Sequence, residues 1–257
     1  MLYVYAITAD HAGEGDEGLP QDSILPGVPV RRFAFGSLSA IASPVPEEVF
    51  GPQALPARLE DMSWTRERVL AHDAVVGALV PLATVLPLKF CTLFSGPDAL
   101  EAAIARNRET FEAVVERLRG AREWGVKIFS DPPASAAPSQ ASELAAPGAG
   151  AAFFRRKREE QAARVAAEAA LDATVAASHQ RLAACSRAAV VSPVQPTELH
   201  RQPGVMVLNG SYLVTREGEA AWRDCLSDLE RENAAAGLRY MRTGPWAAYH
   251  FTGGGFA

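Results

Sequence analysis

Cysteine is scarce in this chain of 257 residues: Cys91, Cys185 and Cys225 are an odd number, far apart in sequence, with no Cys-x-x-Cys. That usage fits reduced thiols and argues against a disulfide framework. Long apolar runs are missing as well. A bilayer-spanning helix needs about 20 consecutive apolar residues, whereas the longest apolar-rich stretch, residues 74–85, is interrupted by Gly77, Pro81 and Thr84. The opening Met1-Leu2-Tyr3-Val4-Tyr5 has no basic segment ahead of an apolar one, so neither a secretory signal nor a membrane partner is expected, and the chain is expected in the cytoplasm. Basic charge is in deficit, with 25 Lys and Arg against 30 Asp and Glu and a net charge of -5. Affinity for phosphates comes from Lys and Arg, so nucleic acid is not an expected partner.

Recognisable chemistry is equally thin. No two of the five histidines, His11, His72, His179, His200 and His250, stand at i, i+4, and none pairs with cysteine at zinc spacing. No metal is expected. Gly36-Ser37-Leu38-Ser39 and Gly253-Gly254-Gly255 lack the Lys-Ser or Lys-Thr that ends a phosphate loop, so no cofactor is expected either. His72 falls on the apolar side of its helix and reads as a hydrogen-bonded core residue before it reads as a catalyst. Cys91 reads as a small buried residue. With Lys89 these are the only plausible reactive groups for the remote alternative, a small-molecule enzyme with a pocket between its two halves.

What is present is a globular composition, 48% apolar and 21% charged, long enough for two cores. The alternation at residues 2–8 predicts a central strand, and residues 11–26, rich in Gly and acids, a mobile acidic loop. Two strands, 30–35 and 38–43, flank Gly36-Ser37 and predict a hairpin with a two-residue turn. After the turn-rich stretch 44–56, Ser63 is placed to cap a helix over 64–80, with Val69, Val76 and Val80 on its core stripe near His72 and Leu79. Residues 84–90 read as an irregular edge strand because Pro87 cannot donate to a ladder. Pro97 and Asp98 open a second helix ending near Gly120, buried through Leu100, Ile104, Phe111, Val114, Val115 and Leu118. A strand over 123–130 follows.

The expected fold class is α+β in two domains. Residues 1–130 form a ferredoxin-like antiparallel sheet with two helices, and 131–150, rich in Ala, Pro and Ser, form a linker. Residues 151–242 form a smaller α+β unit built on a long helix over 151–189, where 15 of 39 residues are Ala and neither Pro nor Gly occurs. Its seam, Leu171, Val175, Ser178, Leu182, Cys185 and Ala189, is confined to the second half. The first half carries Arg155, Arg156, Lys157 and Arg158, balanced by Glu159, Glu160, Glu168 and Asp172, and reads as a solvated, projecting face. Asn209-Gly210 predicts a hairpin within 204–216, residues 219–236 a helix stopped by Gly237, and 238–242 a short strand. Residues 243–257 form a Gly-rich tail whose Trp246, Tyr249, Phe251 and Phe256 need another surface, either a groove between the two halves or a partner.

Four stretches then carry a resemblance. Leu2-Tyr3-Val4-Tyr5, the run from Val85 through Pro87, Lys89, Phe90 and Cys91 to Phe94, Glu123-Trp124-Gly125-Val126-Lys127, and Thr243-Gly244-Pro245-Trp246 lie in register over almost the whole chain. Together they resemble the gas vesicle protein F and L family. That family usually has Arg and Gly where this chain has Lys89 and Cys91, and Pro-Pro where it has Ala247-Ala248. Lys cannot reproduce the bidentate fork of Arg. The resemblance implies an accessory protein of gas vesicle assembly, a minor vesicle component and not an enzyme. Its partners would be the small hydrophobic shell protein, whose aggregation it limits during nucleation, and other accessory proteins of the vesicle. A permanent part of the vesicle wall is the alternative. The motif positions Pro87, Lys89, Phe90, Trp124, Lys127, Gly244, Pro245, Trp246, Tyr249 and Phe251 are the candidate contact residues.

Overall fold

The computed structural model describes residues 1–9, 15–131, 149–200 and 202–253. The architecture is α+β, with two antiparallel sheets. Contacts divide the chain into two compact units: Met1–Trp124 with Leu213–Arg216 and Thr243–Ala257, and Gly125–Tyr212 with Glu217–Arg242.

In the first unit β1 (Leu2–Ala9) is buried along its whole length and lies centrally, as its apolar sequence demands. On one side it pairs with β3 (Leu38–Pro44), which continues to β2 (Arg31–Phe35); on the other it pairs with β4 (Thr84–Pro87) and the two-residue β5 (Leu93–Phe94). The β2–β3 register closes at Phe35 opposite Leu38, so Gly36-Ser37 is the two-residue turn expected, with Gly36 at φ 70°. Two short helices that periodicity did not reveal, α1 (Glu47–Phe50) and α2 (Leu55–Glu60), occupy the turn-rich stretch. The next helix, α3 (Met62–Leu79), is capped by Asp61 and not by Ser63: the Asp61 Oδ1 accepts from the backbone N–H groups of Ser63 and Trp64 at 2.9 and 3.1 Å. Its buried residues Val75, Val76 and Leu79 share a core with Tyr3, Tyr5 and Phe50. The other long helix, α4 (Pro97–Leu118), buries every apolar residue assigned to its inner stripe and packs along β4, β1 and β5. Part of the acidic loop is fixed rather than mobile. Ile24 is fully buried and its N–H donates to the Tyr5 hydroxyl at 2.9 Å, because an apolar side chain in a polar loop still seeks the core. Residues 10–14 of that loop lie outside the described residues.

The second sheet runs β7 (Ala188–Val191), β8 (Val205–Thr215), β6 (Ala121–Ser130), β9 (Leu238–Trp246). The strand expected to close the N-terminal sheet is β6, and it belongs here instead. Nor does the chain turn at Asn209-Gly210, since β8 continues straight through. A Cβ at Gly210 would sit 2.8 Å from the Tyr212 hydroxyl, so that glycine makes room for a ring two residues on, along the same strand face.

The long helix α5 (Ala149–Ala184) stops five residues short of the expected end; residues 185–187 turn, and β7 takes Ala188 and Ala189 because pairing with β8 outweighs helix propensity. Val175, Ser178 and Leu182 are buried against a layer that includes Trp222, Leu226 and Leu229 of α6 (Glu219–Asn233), whereas residues 153–170 are exposed throughout. A short 3₁₀ turn, Ala234–Ala236, follows α6 and ends at Gly237, φ 73°, in the left-handed cap expected of it. Residues 132–148, nearly all of the expected linker, lie outside the described residues. No described helix is long and apolar enough to cross a membrane.

The two halves of α5 should respond differently to truncation. Leu182→Ala is expected to cost about 3 kcal/mol in urea unfolding, from lost burial plus a cavity, and Val165→Ala on the exposed half no more than about 0.5 kcal/mol.

Candidate functional site

Residues 243–253 form a strap in the first unit. Gly244 has φ 108°, and a Cβ there would stand 2.9 Å from the Glu123 carbonyl oxygen, so glycine alone lets the chain pass this closely. The following Gly244–Pro245 bond is cis. Ala247 and Ala248 are then buried, Ala247 within the same core as Tyr3 and Tyr5, and a 3₁₀ turn, Tyr249–Phe251, ends with Phe251 buried.

Three polar anchors hold this turn. Glu123 is only 4% exposed, and a buried carboxylate is tolerated only when hydrogen-bonded. Its Oε2 accepts the His250 N–H at 3.0 Å and its Oε1 meets the His250 Nδ1 at 2.6 Å. The Arg117 guanidinium on α4 donates to the Phe251 carbonyl. The third anchor is the Tyr249 hydroxyl, which donates to Asp73 Oδ1 at 3.3 Å and lies 3.1 Å from His72 Nε2.

Behind Tyr249 the contacts continue inward. His72 Nδ1 lies 2.9 Å from the Tyr3 hydroxyl, which accepts the Cys91 N–H at 3.2 Å. One proton arrangement satisfies them all. Cys91 N–H donates to Tyr3, Tyr3 to Nδ1 of a neutral His72, His72 Nε2–H to Tyr249, and Tyr249 to Asp73. Burial drives His72 below its ordinary value, against the smaller opposing effects of Asp73 and of a backbone bond with Leu88. Burial likewise lifts the Tyr3 and Tyr249 hydroxyls well above the usual phenol range. It also pushes the Cys91 thiol up to about 11, which leaves on the order of one thiolate in ten thousand at neutral pH. The group is built to hold a neutral, hydrogen-bonded cluster. Among the described residues no group of His, Cys, Asp and Glu could hold a metal ion.

The motif positions of the middle segment meet the strap around this cluster. Pro87 is buried in β4 opposite Ala6, and the next residue, Leu88, donates its N–H to the Tyr5 carbonyl. Phe90 stands edge-on to Tyr3 and His72, at ring separations of 6.4 and 6.1 Å. A model of gas vesicle synthesis protein GvpL/GvpF matches residues 1–253. The chain belongs to the GvpL/GvpF family. Gas vesicle protein L of Streptomyces sp. (strain CB03234) is 34% identical to it over 259 residues, 98% of this chain and 93% of that protein. Two crystal structures share the fold at lower identity. GvpF from Anabaena sp. PCC7120 superposes with a TM-score of 0.67 at 18% identity, over 98% of this chain and 95% of that one. GvpF from Microcystis aeruginosa gives 0.64 at 17% identity, covering 98% of each.

Within this GvpL/GvpF chain the remaining motif positions divide into buried and exposed. Trp124 is fully buried on β6, and Lys127, in the second unit, donates to Gln195 Oε1 at 3.1 Å. Lys89 is exposed in a turn whose carbonyl accepts both the N–H and the hydroxyl of Thr92. Trp246 is 55% exposed, a large aromatic held in the open directly before the buried Ala247 and Ala248. Phe256 lies outside the described residues. Cys91 takes φ 63°, in the left-handed region that glycine enters without strain. Glu123, Asp73 and His250 were not distinguishable beforehand, because each acts through a partner 100 or more residues distant in sequence and no local pattern marks such pairing.

Two measurements test the anchoring. Gly244→Ala is expected to lower stability by about 2–3 kcal/mol in denaturant unfolding, from the disfavoured φ and the collision with the Glu123 carbonyl. For His72 the folded state resists protonation, so the unfolded state takes up the proton first as pH falls past its ordinary value near 6.5. Its contribution to stability is therefore complete above that pH and shrinks below it, by at most about 1.4 kcal/mol per pH unit. The stability advantage of the native chain over His72→Gln should accordingly narrow from pH 7 to pH 5.5. An advantage independent of pH would show that His72 is not buried neutral.

Proposed function

We propose that this protein is an accessory factor of gas vesicle assembly that binds the small hydrophobic shell protein and limits its aggregation during nucleation. The observation that carries this reading is Trp246, more than half exposed on a strap that is buried at Ala247, Ala248 and Phe251 and hydrogen-bonded at His250. Large exposed aromatics fixed by rigid surroundings supply much of the energy at protein interfaces, because little entropy is lost on docking. Membership of a family described as gas vesicle synthesis proteins supports this process, and the reading takes the chain to work at the gas vesicle in the cytoplasm.

Of the ten motif positions, Trp246 and Lys89 are assigned to partner contact, while Pro87, Trp124, Gly244 and Phe251 shape the surface beneath. A binding role suits the interior chemistry better than catalysis. His72 has both ring nitrogens occupied, and the Cys91 thiol stays protonated at neutral pH. Nucleic acid and membrane are not part of this reading.

Co-purification with the shell protein tests it. Trp246→Ala removes exposed area without opening a core, so the variant should fold like the parent yet capture shell protein at least about tenfold less well, equivalent to ~1.4 kcal/mol. Equal capture by parent and variant would take Trp246 out of the interface. Deleting residues 247–257 is a poorer test, because Ala247, Ala248 and Phe251 belong to the core.

A further inference from the structure

Besides its buried stripe, α5 carries a second apolar stripe that nothing in the chain covers among the described residues. Phe154, Ala162, Val165, Ala169 and Ala176 follow one another at intervals of 8, 3, 4 and 7 residues, which places them on one face of the helix. At 3.6 residues per turn that face is turned roughly 120° around the axis from the buried Val175, Ser178 and Leu182. All five are exposed, Phe154 by 63% and Val165 by 53%. Two charges share the face: Arg158 stands seven residues before Val165 and Asp172 seven after it, and both are exposed. The stripe is therefore complementary to its own reverse. With Val165 laid on Val165 of a reversed copy, Arg158 falls opposite Asp172, Ala162 beside Ala169, and Phe154, eleven residues before the centre, opposite Ala176, eleven after it. Lys157 and Glu168, on one flank of the stripe, repeat the same order of sign.

We propose that a second copy of this chain packs antiparallel on this face, forming a helix pair with twofold symmetry about Val165. Such an interface is isologous, so each favourable contact off the axis occurs twice. Arg158 meets Asp172 of the second copy at both ends, and the alanines between let the two helices approach closely while each Phe154 ring covers the small Ala176 of the other copy. Direction and register follow from charge. A parallel pair would set Arg158 on Arg158 and Asp172 on Asp172, and like charges across an interface are costly. An apolar segment of another protein would gain from Phe154 and Val165, but opposite charges at equal distances from the centre select a copy of the same helix. The stripe lies in the second unit and Trp246 in the first, so this inference does not rest on the strap.

Sedimentation of the full chain over a concentration series tests this. The mass should rise from 27.4 kDa towards twice that value. Arg158→Glu and Asp172→Arg, both at exposed positions, should each weaken association at least about tenfold. Mixing the two variants, or combining both changes in one chain, should restore it, which a loss of folding could not do. Cross-linking reads the direction. With the exposed Cys185 replaced by Ser, Val165→Cys should link two chains rapidly under mild oxidation, whereas Phe154→Cys should not, because its two copies stand about 33 Å apart in an antiparallel pair at 1.5 Å per residue. Trp246→Ala should leave association unchanged. A chain that stays at 27.4 kDa throughout, a dimer indifferent to both charge variants, or Phe154→Cys linking as readily as Val165→Cys would each overturn the proposal. So would loss of shell-protein capture on Arg158→Glu in a chain that never dimerises, which would give the stripe to that partner.

Discussion

The hydroxyl of Tyr3 sits at the centre of the first unit with no access to water, and the surrounding structure is arranged so that it is never left unpaired. A buried phenol without partners costs a few kcal/mol, comparable to a large share of a domain's net stability. Here it accepts from the backbone that follows β4 and donates to a histidine on α3, and that histidine passes the requirement on to Tyr249 near the C-terminal end. Parts of the chain separated by 69 and 177 residues are thereby bound to one satisfied polar cluster in an apolar core. The constraint explains why residues 243–253 form a strap rather than a loose arm, and why His72 is better understood as a structural joint than as a base.

The strap divides its own residues between two tasks. Ala247, Ala248 and Phe251 fill the core, and His250 closes on the buried Glu123, so the segment is fixed along its length. Trp246 is thereby displayed in a defined orientation. A ring so presented loses little freedom on meeting an apolar partner, which is the thermodynamic advantage of preorganisation. The exposed half of α5 offers a contrasting surface, dominated by alanine and paired charges such as Arg164 with Glu168 at 2.9 Å.

How much could be read beforehand depended on whether the controlling interaction was local. The Gly36-Ser37 turn, the inner stripe of α4 and the Gly237 cap were legible because a few adjacent residues dictate each of them. Asn209-Gly210 misled because the same dipeptide that favours a turn also serves a straight strand in which Tyr212 needs space. The Asp61 cap was missed by two residues for a similar reason, since aspartate and serine are comparable caps and the backbone decides between them. β6 was read as a strand correctly, but its sheet was not, because an alternating strand fits any sheet edge that offers the right register.

The sequence by itself determined the α+β class, most helices and strands and, through four motifs in register, the family. Only the tertiary structure decided that residues 243–253 belong to the first unit, that Glu123 meets His250, and that Tyr3, His72 and Tyr249 form one cluster. Periodicity and turn chemistry are properties of neighbouring residues and survive in a string of letters. The partner of a buried polar group is chosen by packing among distant segments, and no short-range pattern records that choice.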